Sequence, residues 1–211
     1  MSDPIGEILW QPDAARIGTT ALARFASGAG FPPGDYAGLH GWSVTEPEAF
    51  YSRLWDFLGI VGSKGGKAFA PGADQITTRF FPEARLNYAE NLLVHVGDRL
   101  AIIACREDGT RREISGLALT ELVSRVAQAL LEMGIAPGER VAAIVTNDIE
   151  AIACYLGCAA VGAVWASCSP DFGPEGAADR LGQVGAKLLI AVPTYGYAGK
   201  RFDITASINA V

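Results

Sequence analysis

The chain has 211 residues, half of them hydrophobic and 19% charged, which suits one large domain, or a small appendage with part of a larger one, and not a disordered tail. Its net charge of −6 argues against a nucleic-acid binder, because neutralising phosphates needs a basic surface. The four cysteines, Cys105, Cys154, Cys158 and Cys168, are too sparse for a secreted disulfide framework and read as buried structural thiols; with His40 and His95 far off in sequence, no metal ligand set is expected.

The N-terminus from Met1 to Glu7 lacks the basic start and apolar run of a signal peptide, so a cytoplasmic location is expected. Residues 1–40 read as irregular, broken by Gly28, Gly30, Pro32, Pro33 and Gly34. Glu46 to Leu58 reads as a helix, with Pro47 in its first turn and Phe50, Leu54, Trp55 and Leu58 at helical spacing. The glycine- and lysine-rich run Gly62–Lys67 fails the spacing of a phosphate-cradling P-loop and reads as a solvated flexible loop. Leu86 to Leu93 forms a compact helix.

From about Asp98 the pattern becomes regular. Ala101–Cys105 and Arg112–Ile114 read as a hairpin turning on Asp108-Gly109. Ser115 caps the next helix, whose stripe runs Leu119, Leu122, Val123, Val126, Ala127 and Leu130 before Gly134 closes it. Arg140–Val145 reads as a buried strand, and Asn147 or Asp148 caps a helix to about Val161. Val164–Ser167 (strand), Pro174–Val184 (helix) and Lys187–Val192 (strand) follow. This alternation predicts parallel crossover units with helices covering the sheet. Ala151 to Cys168 holds 18 residues without a charge, but Gly162 divides it, so it reads as a buried helix and strand, not a membrane span.

In open parallel sheets ligands gather beyond the carboxyl ends of the strands. That points to Thr146–Asp148, Ser169–Gly173 and a loop from Pro193 to Lys200. Neither G-x-G-x-x-G nor G-x-S-x-G occurs, which leaves an NAD enzyme or a serine hydrolase without support. His40 and His95 read as structural or exposed.

Several segments occur in one order: Trp42-Ser-Val, Leu86–Leu93, Gly138-Glu-Arg140-Val-Ala with Asn147, Gly162–Gly173, Asp179-Arg180 with Gln183, and Tyr195-Gly-Tyr197-Ala-Gly199-Lys200. Together, from about Trp10 onward, the chain resembles the N-terminal portion of acetoacetyl-CoA synthetases, in the adenylate-forming acyl-CoA synthetase superfamily. The Ser-Pro-Asp-Phe-Gly block favours the acetoacetyl branch over the acetyl and propionyl branches. The fold class this implies is α/β, an incomplete doubly wound parallel sheet preceded by a mostly helical N-terminal extension. The extension would take 1–98, and the first part of the AMP-binding domain, truncated, 99–211.

The resemblance implies a two-step ligase. A carboxylate attacks the α-phosphate of ATP, with Mg2+ present, and the thiol of CoA then displaces AMP from the acyl-adenylate. The family's phosphate loop, ATP-binding aromatic motif, ribose-binding aspartate and catalytic lysine lie downstream of the matched region, so no catalytic residue is carried over and this stretch alone is expected to be inactive. What the resemblance does carry over is a CoA-side surface: Ser169, Pro170 and Asp171, with Lys200 as a phosphate partner and Tyr197 placed to stack on an adenine. From the residues alone, Lys200 also reads as a solvated lysine, Asp171 as a cap for the helix near Pro174, and Arg180 as a partner for Asp171 or Asp179. The expected partners are the small molecules acetoacetate, ATP and CoA, with no nucleic acid and no membrane. Two alternatives stay open: a non-catalytic fragment that associates with the missing remainder of the fold on a separate chain, and a related acetyl- or propionyl-CoA synthetase.

Overall fold

A computed structural model describes residues 9–94 and 96–211. The readings of the Met1–Glu7 start and of His95 therefore lie outside the described residues. One compact unit ends at Arg85, and a second runs Leu86–Val211.

The first unit holds helices α1 (Ala14–Gly18), α2 (Ala21–Gly28), α3 (Tyr36–Thr45) and α4 (Pro47–Leu58), then short paired strands β1 (Phe69–Ala70) and β2 (Arg79–Phe80). Residues 1–40, expected to be irregular, thus contain two helices and the start of a third. Each is nucleated by a side-chain cap: Asp13 accepts from the Arg16 amide at 2.7 Å, Thr20 from Ala23 at 3.1 Å and Asp35 from Gly38 at 2.9 Å. The glycines and prolines fall mainly in the one connection between α2 and α3, which is why they break nothing else. Phe25, Ala26 and Leu39 form the buried centre, with Trp42, Phe50 and Leu54 packed on it. Leu58, expected on that stripe, is instead 55% exposed at the helix end.

The glycine-rich run after α4 is solvent-exposed, as expected, but tied down by hydrogen bonds. Ser63 and Arg85 exchange backbone hydrogen bonds of 2.8 and 2.9 Å, the Gly66 amide donates to Glu83 Oε2 at 2.8 Å, and Lys64 Nζ bonds Asp56 and Ser52. Glu48 on α4 accepts the Ala68 and Phe69 amides, each at 2.7 Å, which fixes β1.

The second unit opens with α5 (Tyr88–Leu93) and the antiparallel hairpin β3 (Leu100–Cys105) and β4 (Arg111–Ser115). As the sequence predicts, Asp108-Gly109 makes the turn, with Gly109 at φ +82° and Asp108 accepting from the Thr110 amide at 2.8 Å. Ser115 caps α6 (Gly116–Glu132). Then come β5 (Arg140–Ile144), α7 (Ile149–Ala160), β6 (Val164–Cys168), α8 (Pro174–Gly182) and β7 (Leu188–Ala191). The three strands form a parallel sheet in the order β6-β5-β7. The central strand carries the uninterrupted apolar run Val141–Ile144, all fully buried, as a strand covered on both faces must.

Helices cover both faces, so the fold is α/β. On one, α6 and α7 supply Leu130, Val126 and Cys158 against Val141, Leu188 and Ile190. On the other, α8 supplies Ala177 and Leu181 against Ala142 and Ile144. The approach of α6 to α7 demands glycine at 157, because a Cβ there would stand 2.5 Å from Val126 Cγ1. The uncharged stretch across Gly162 resolves into α7 and β6, and no helix among the described residues is long and apolar enough to cross a membrane. Three of the cysteines are at least half-buried, but Cys105, expected to be buried, is exposed at the end of β3.

The division at Arg85 precedes the expected one at 98, since α5 packs on α7 through Ala89, Leu93 and Leu156. The chain after β7 departs from expectation as well. Pro193 to Lys200 is no loop: β8 (Thr194–Tyr197) and β9 (Lys200–Asp203) pair as a hairpin, followed by α9 (Thr205–Ala210).

Candidate functional site at the carboxyl edge of the sheet

The three parallel strands end in register, with Ile144 aligned to Cys168 on one side and to Ala191 on the other. Three segments emerge from that edge. After β6 comes the turn Ser169–Gly173, in which Ser169 and Asp171 are exposed and Pro170 is buried. Phe172 packs into the core, and the buried Ser207 hydroxyl of α9 donates to its carbonyl at 3.2 Å. Asp171 does not cap α8; that position belongs to Gly173, without a side-chain bond. Nor does Arg180 pair with an aspartate. Its guanidinium lies 4.0 Å from the centroid of the Phe172 ring, a cation–π contact that stiffens the same turn.

The second segment is the β8–β9 hairpin. Tyr195 and Phe202 stand opposite each other with rings stacked at 5.2 Å, and Tyr195 packs on the core beneath. One step further out on the same face, Tyr197 pairs with Lys200 in register, and both are exposed. An aromatic ring and a mobile ammonium therefore sit side by side at the tip. That combination suits a phosphate-bearing nucleotide: the ring offers a stacking face and the amine a point charge.

The third segment follows β5. Asp148, almost fully buried, accepts from the Ile149 amide at 2.8 Å to start α7. It is also clasped by two arginines of the β3–β4 hairpin: Arg106, and Arg112 at 3.1 Å. Arg112 reaches on to Glu150 at 2.5 and 2.9 Å. Burial alone would push the Asp148 carboxyl up, but the Arg106 guanidinium and the Ile149 amide more than offset this and hold it below the usual carboxylate range. The Arg112 guanidinium likewise lowers Glu150. Glu107, beside Arg106, accepts the Ala198 amide at the tip of the β8–β9 hairpin at 2.7 Å. One hairpin thus grips both the start of α7 and the tip carrying Lys200.

Of the residues expected on the CoA side, the fold brings Tyr197 next to Lys200 and exposes Ser169 and Asp171 on the turn after β6, while Pro170 is turned inward. Sequence reasoning missed Arg106, Arg112, Glu107 and Glu150. Their signal was two arginines flanking an Asp-Gly turn, unpaired within their own hairpin. Their partners lie 36 to 91 residues away, where no local pattern reaches.

A helix-covered parallel sheet with polar side chains collected beyond its carboxyl ends defines an α/β protein of the open-sheet class, in which ligands generally bind at that end. Residues 90–209 match the AMP-binding enzyme family, and the chain belongs to that family. It is similar to an acetoacetyl-coenzyme A synthetase of Rhizobium meliloti, 44% identical over 207 residues, which is 96% of this chain and 32% of that protein. An acetoacetyl-CoA synthetase of Rattus norvegicus is 36% identical over 92% of the chain and 30% of its own length. Among solved structures, an acetoacetyl-CoA synthetase from Streptomyces lividans superposes with a TM-score of 0.87 at 34% identity, covering 97% of this chain and 33% of that one. The chain therefore spans about a third of the length of the relatives it matches.

The family implies ATP, Mg2+ and CoA. Among the described residues, no group of three or more His, Cys, Asp or Glu is placed to hold a cation. In the glycine-rich run, the Ser63 and Gly66 amides are already committed to Arg85 and Glu83. For the phosphates and adenine of CoA, the exposed Tyr197–Lys200 pair does offer matching chemistry.

Proposed function

We propose that the chain supplies the CoA-facing opening portion of an ATP-dependent acid–thiol ligase that joins acetoacetate to CoA through an acyl-adenylate, releasing AMP and pyrophosphate. The observation that carries this reading is the 0.87 superposition, over 97% of the chain, on an acetoacetyl-CoA synthetase. In it, the residues before α5 serve as an N-terminal extension, and those from α5 onward as the first part of the AMP-binding domain. Lys200 meets a CoA phosphate and Tyr197 its adenine, Ser169 and Asp171 border the nucleotide, and Pro170 shapes the turn that presents them. ATP and Mg2+ are handled by parts of the family fold other than these residues, so residues 1–211 alone form no adenylate.

Two measurements test this. Calorimetric titration of CoA into the chain should give binding that Lys200→Ala weakens; equal binding by both proteins removes Lys200 from the site. The chain should also fail to exchange labelled pyrophosphate into ATP with acetoacetate present, and exchange above background would overturn the assignment of adenylation elsewhere.

A second reading is favoured by the sheet itself. Beyond β6 and β7 its outer edges carry no further strand among the described residues, and open edges invite strand pairing. In this reading strands from the remainder of the family fold complete the sheet at those edges. A compact monomer by light scattering, unchanged when that remainder is added, would count against it.

A further inference from the structure

A two-stranded hairpin the length of β8–β9 has little stability of its own. Tyr195 anchors its base in the core, but Tyr197 and Lys200 stand at the far end. There Ala198 and Gly199 hold φ of +49° and +70°, the paired left-handed conformations of a two-residue reverse turn. Glycine adopts this without strain, whereas alanine does so at a cost, so a contact from outside the hairpin helps to hold the tip in one shape. In such a turn the amide of the first central residue points away from the ladder. Ala198 donates it to Glu107 Oε2 at 2.7 Å, from a residue 91 positions earlier in the chain. Glu107 is itself well held. Arg106 on one side is locked to the buried Asp148, and Asp108 on the other accepts from the Thr110 amide.

We infer that Glu107 is a positioning residue, fixing the Ala198 amide so that Tyr197 and Lys200 are presented together to an incoming phosphate-bearing nucleotide. The ligand half of this inference rests on the CoA reading above; the latch itself does not. Charge alone would have the opposite effect, since an acid near a phosphate-binding lysine weakens anion binding. The two roles therefore predict opposite signs.

The test uses the full 211-residue chain. In Glu107→Ala, NMR exchange of the Ala198 amide with water should speed up about five-fold or more, and CoA affinity by calorimetry should fall about five-fold, the loss expected for one hydrogen bond to a charged acceptor at an exposed site. Glu107→Gln keeps a carbonyl acceptor and should restore most of both. In a Lys200→Ala background the Glu107→Ala change should weaken CoA binding markedly less, because only Tyr197 is left to be presented, and a merely structural role would not produce that drop. Unchanged Ala198 exchange in Glu107→Ala overturns the latch whatever CoA does. Tighter CoA binding in both Glu107 variants overturns positioning in favour of repulsion, as does a loss undiminished in the Lys200→Ala background. If the wild-type chain binds no CoA while Ala198 exchange responds as stated, the CoA reading falls and the latch is supported.

Discussion

Asn87 joins two helices with a single side chain, and Asn87→Asp separates its functions. Its Oδ1 accepts from the Glu90 amide at 3.2 Å and caps α5. Its Nδ2 donates to the carbonyls of Ala159 at 3.1 Å and Ala160 at 3.0 Å, the last of α7. An aspartate keeps the cap, loses both donors and sets an anion against the negative end of α7. Two partly exposed hydrogen bonds contribute about 1 kcal/mol each, and the charge at a helix carboxyl end adds roughly 0.5 kcal/mol. The sum, about 2–3 kcal/mol, corresponds to a fall in Tm of roughly 6–12 °C for a unit of this size. Thermal denaturation followed by circular dichroism measures the loss, and hydrogen exchange by mass spectrometry should place it in peptides from 155–163. A loss below about 0.5 kcal/mol, or unaltered exchange there, would refute the idea that this amide holds the end of α7.

Asp148→Asn should destabilise the chain at pH 7 by about 1–3 kcal/mol. That is less than for a fully buried pair, because Arg106 and Arg112 are 52% and 40% exposed and solvent screens them. The folded carboxyl lies below its unfolded value, so its contribution is complete above about pH 4 and is lost as pH falls through the lower folded pKa. Urea melts of both proteins should therefore converge toward pH 2, and a gap that stays constant with pH would contradict the ion pair. Burial pushes the Cys158 thiol up to about 11, whereas Cys105 is exposed. Iodoacetamide at pH 8 should thus alkylate Cys105 first and Cys158 last in native protein, as read by peptide mass spectrometry; early labelling of Cys158 would mean that α7 is not packed as described.

Local chemistry made much of the second unit legible. The Asp-Gly turn, the Ser115 cap, the stripe Leu119–Leu130 and the apolar run Val141–Ile144 each specify an element through neighbours a few residues away. In the first forty residues the capping signals at Asp13, Thr20 and Asp35 are equally local, but the glycines and prolines clustered between α2 and α3 mask them. The hairpin at 194–203 was hidden for another reason. Its turn is Ala-Gly rather than the favoured Asn-Gly, and it forms because Glu107 and the core beneath Tyr195 support it.

The candidate surface divides along the same line. The turn Ser169–Gly173 could be placed beyond a parallel strand by the alternation of elements, because β-α-β units dictate where carboxyl ends lie. That Pro170 turns inward, that Arg180 covers Phe172 and that Tyr197 stands across from Lys200 depended on register and packing. By itself the sequence determined the strands and helices from β3 to β7 and that β5, β6 and β7 would run parallel, since hydrophobic period and capping are properties of neighbouring residues. Only the tertiary structure decided that Arg106 and Arg112 meet Asp148 and that Glu107 meets Ala198, because contacts between residues 36 to 91 positions apart arise when the chain has folded and leave no periodic trace beforehand.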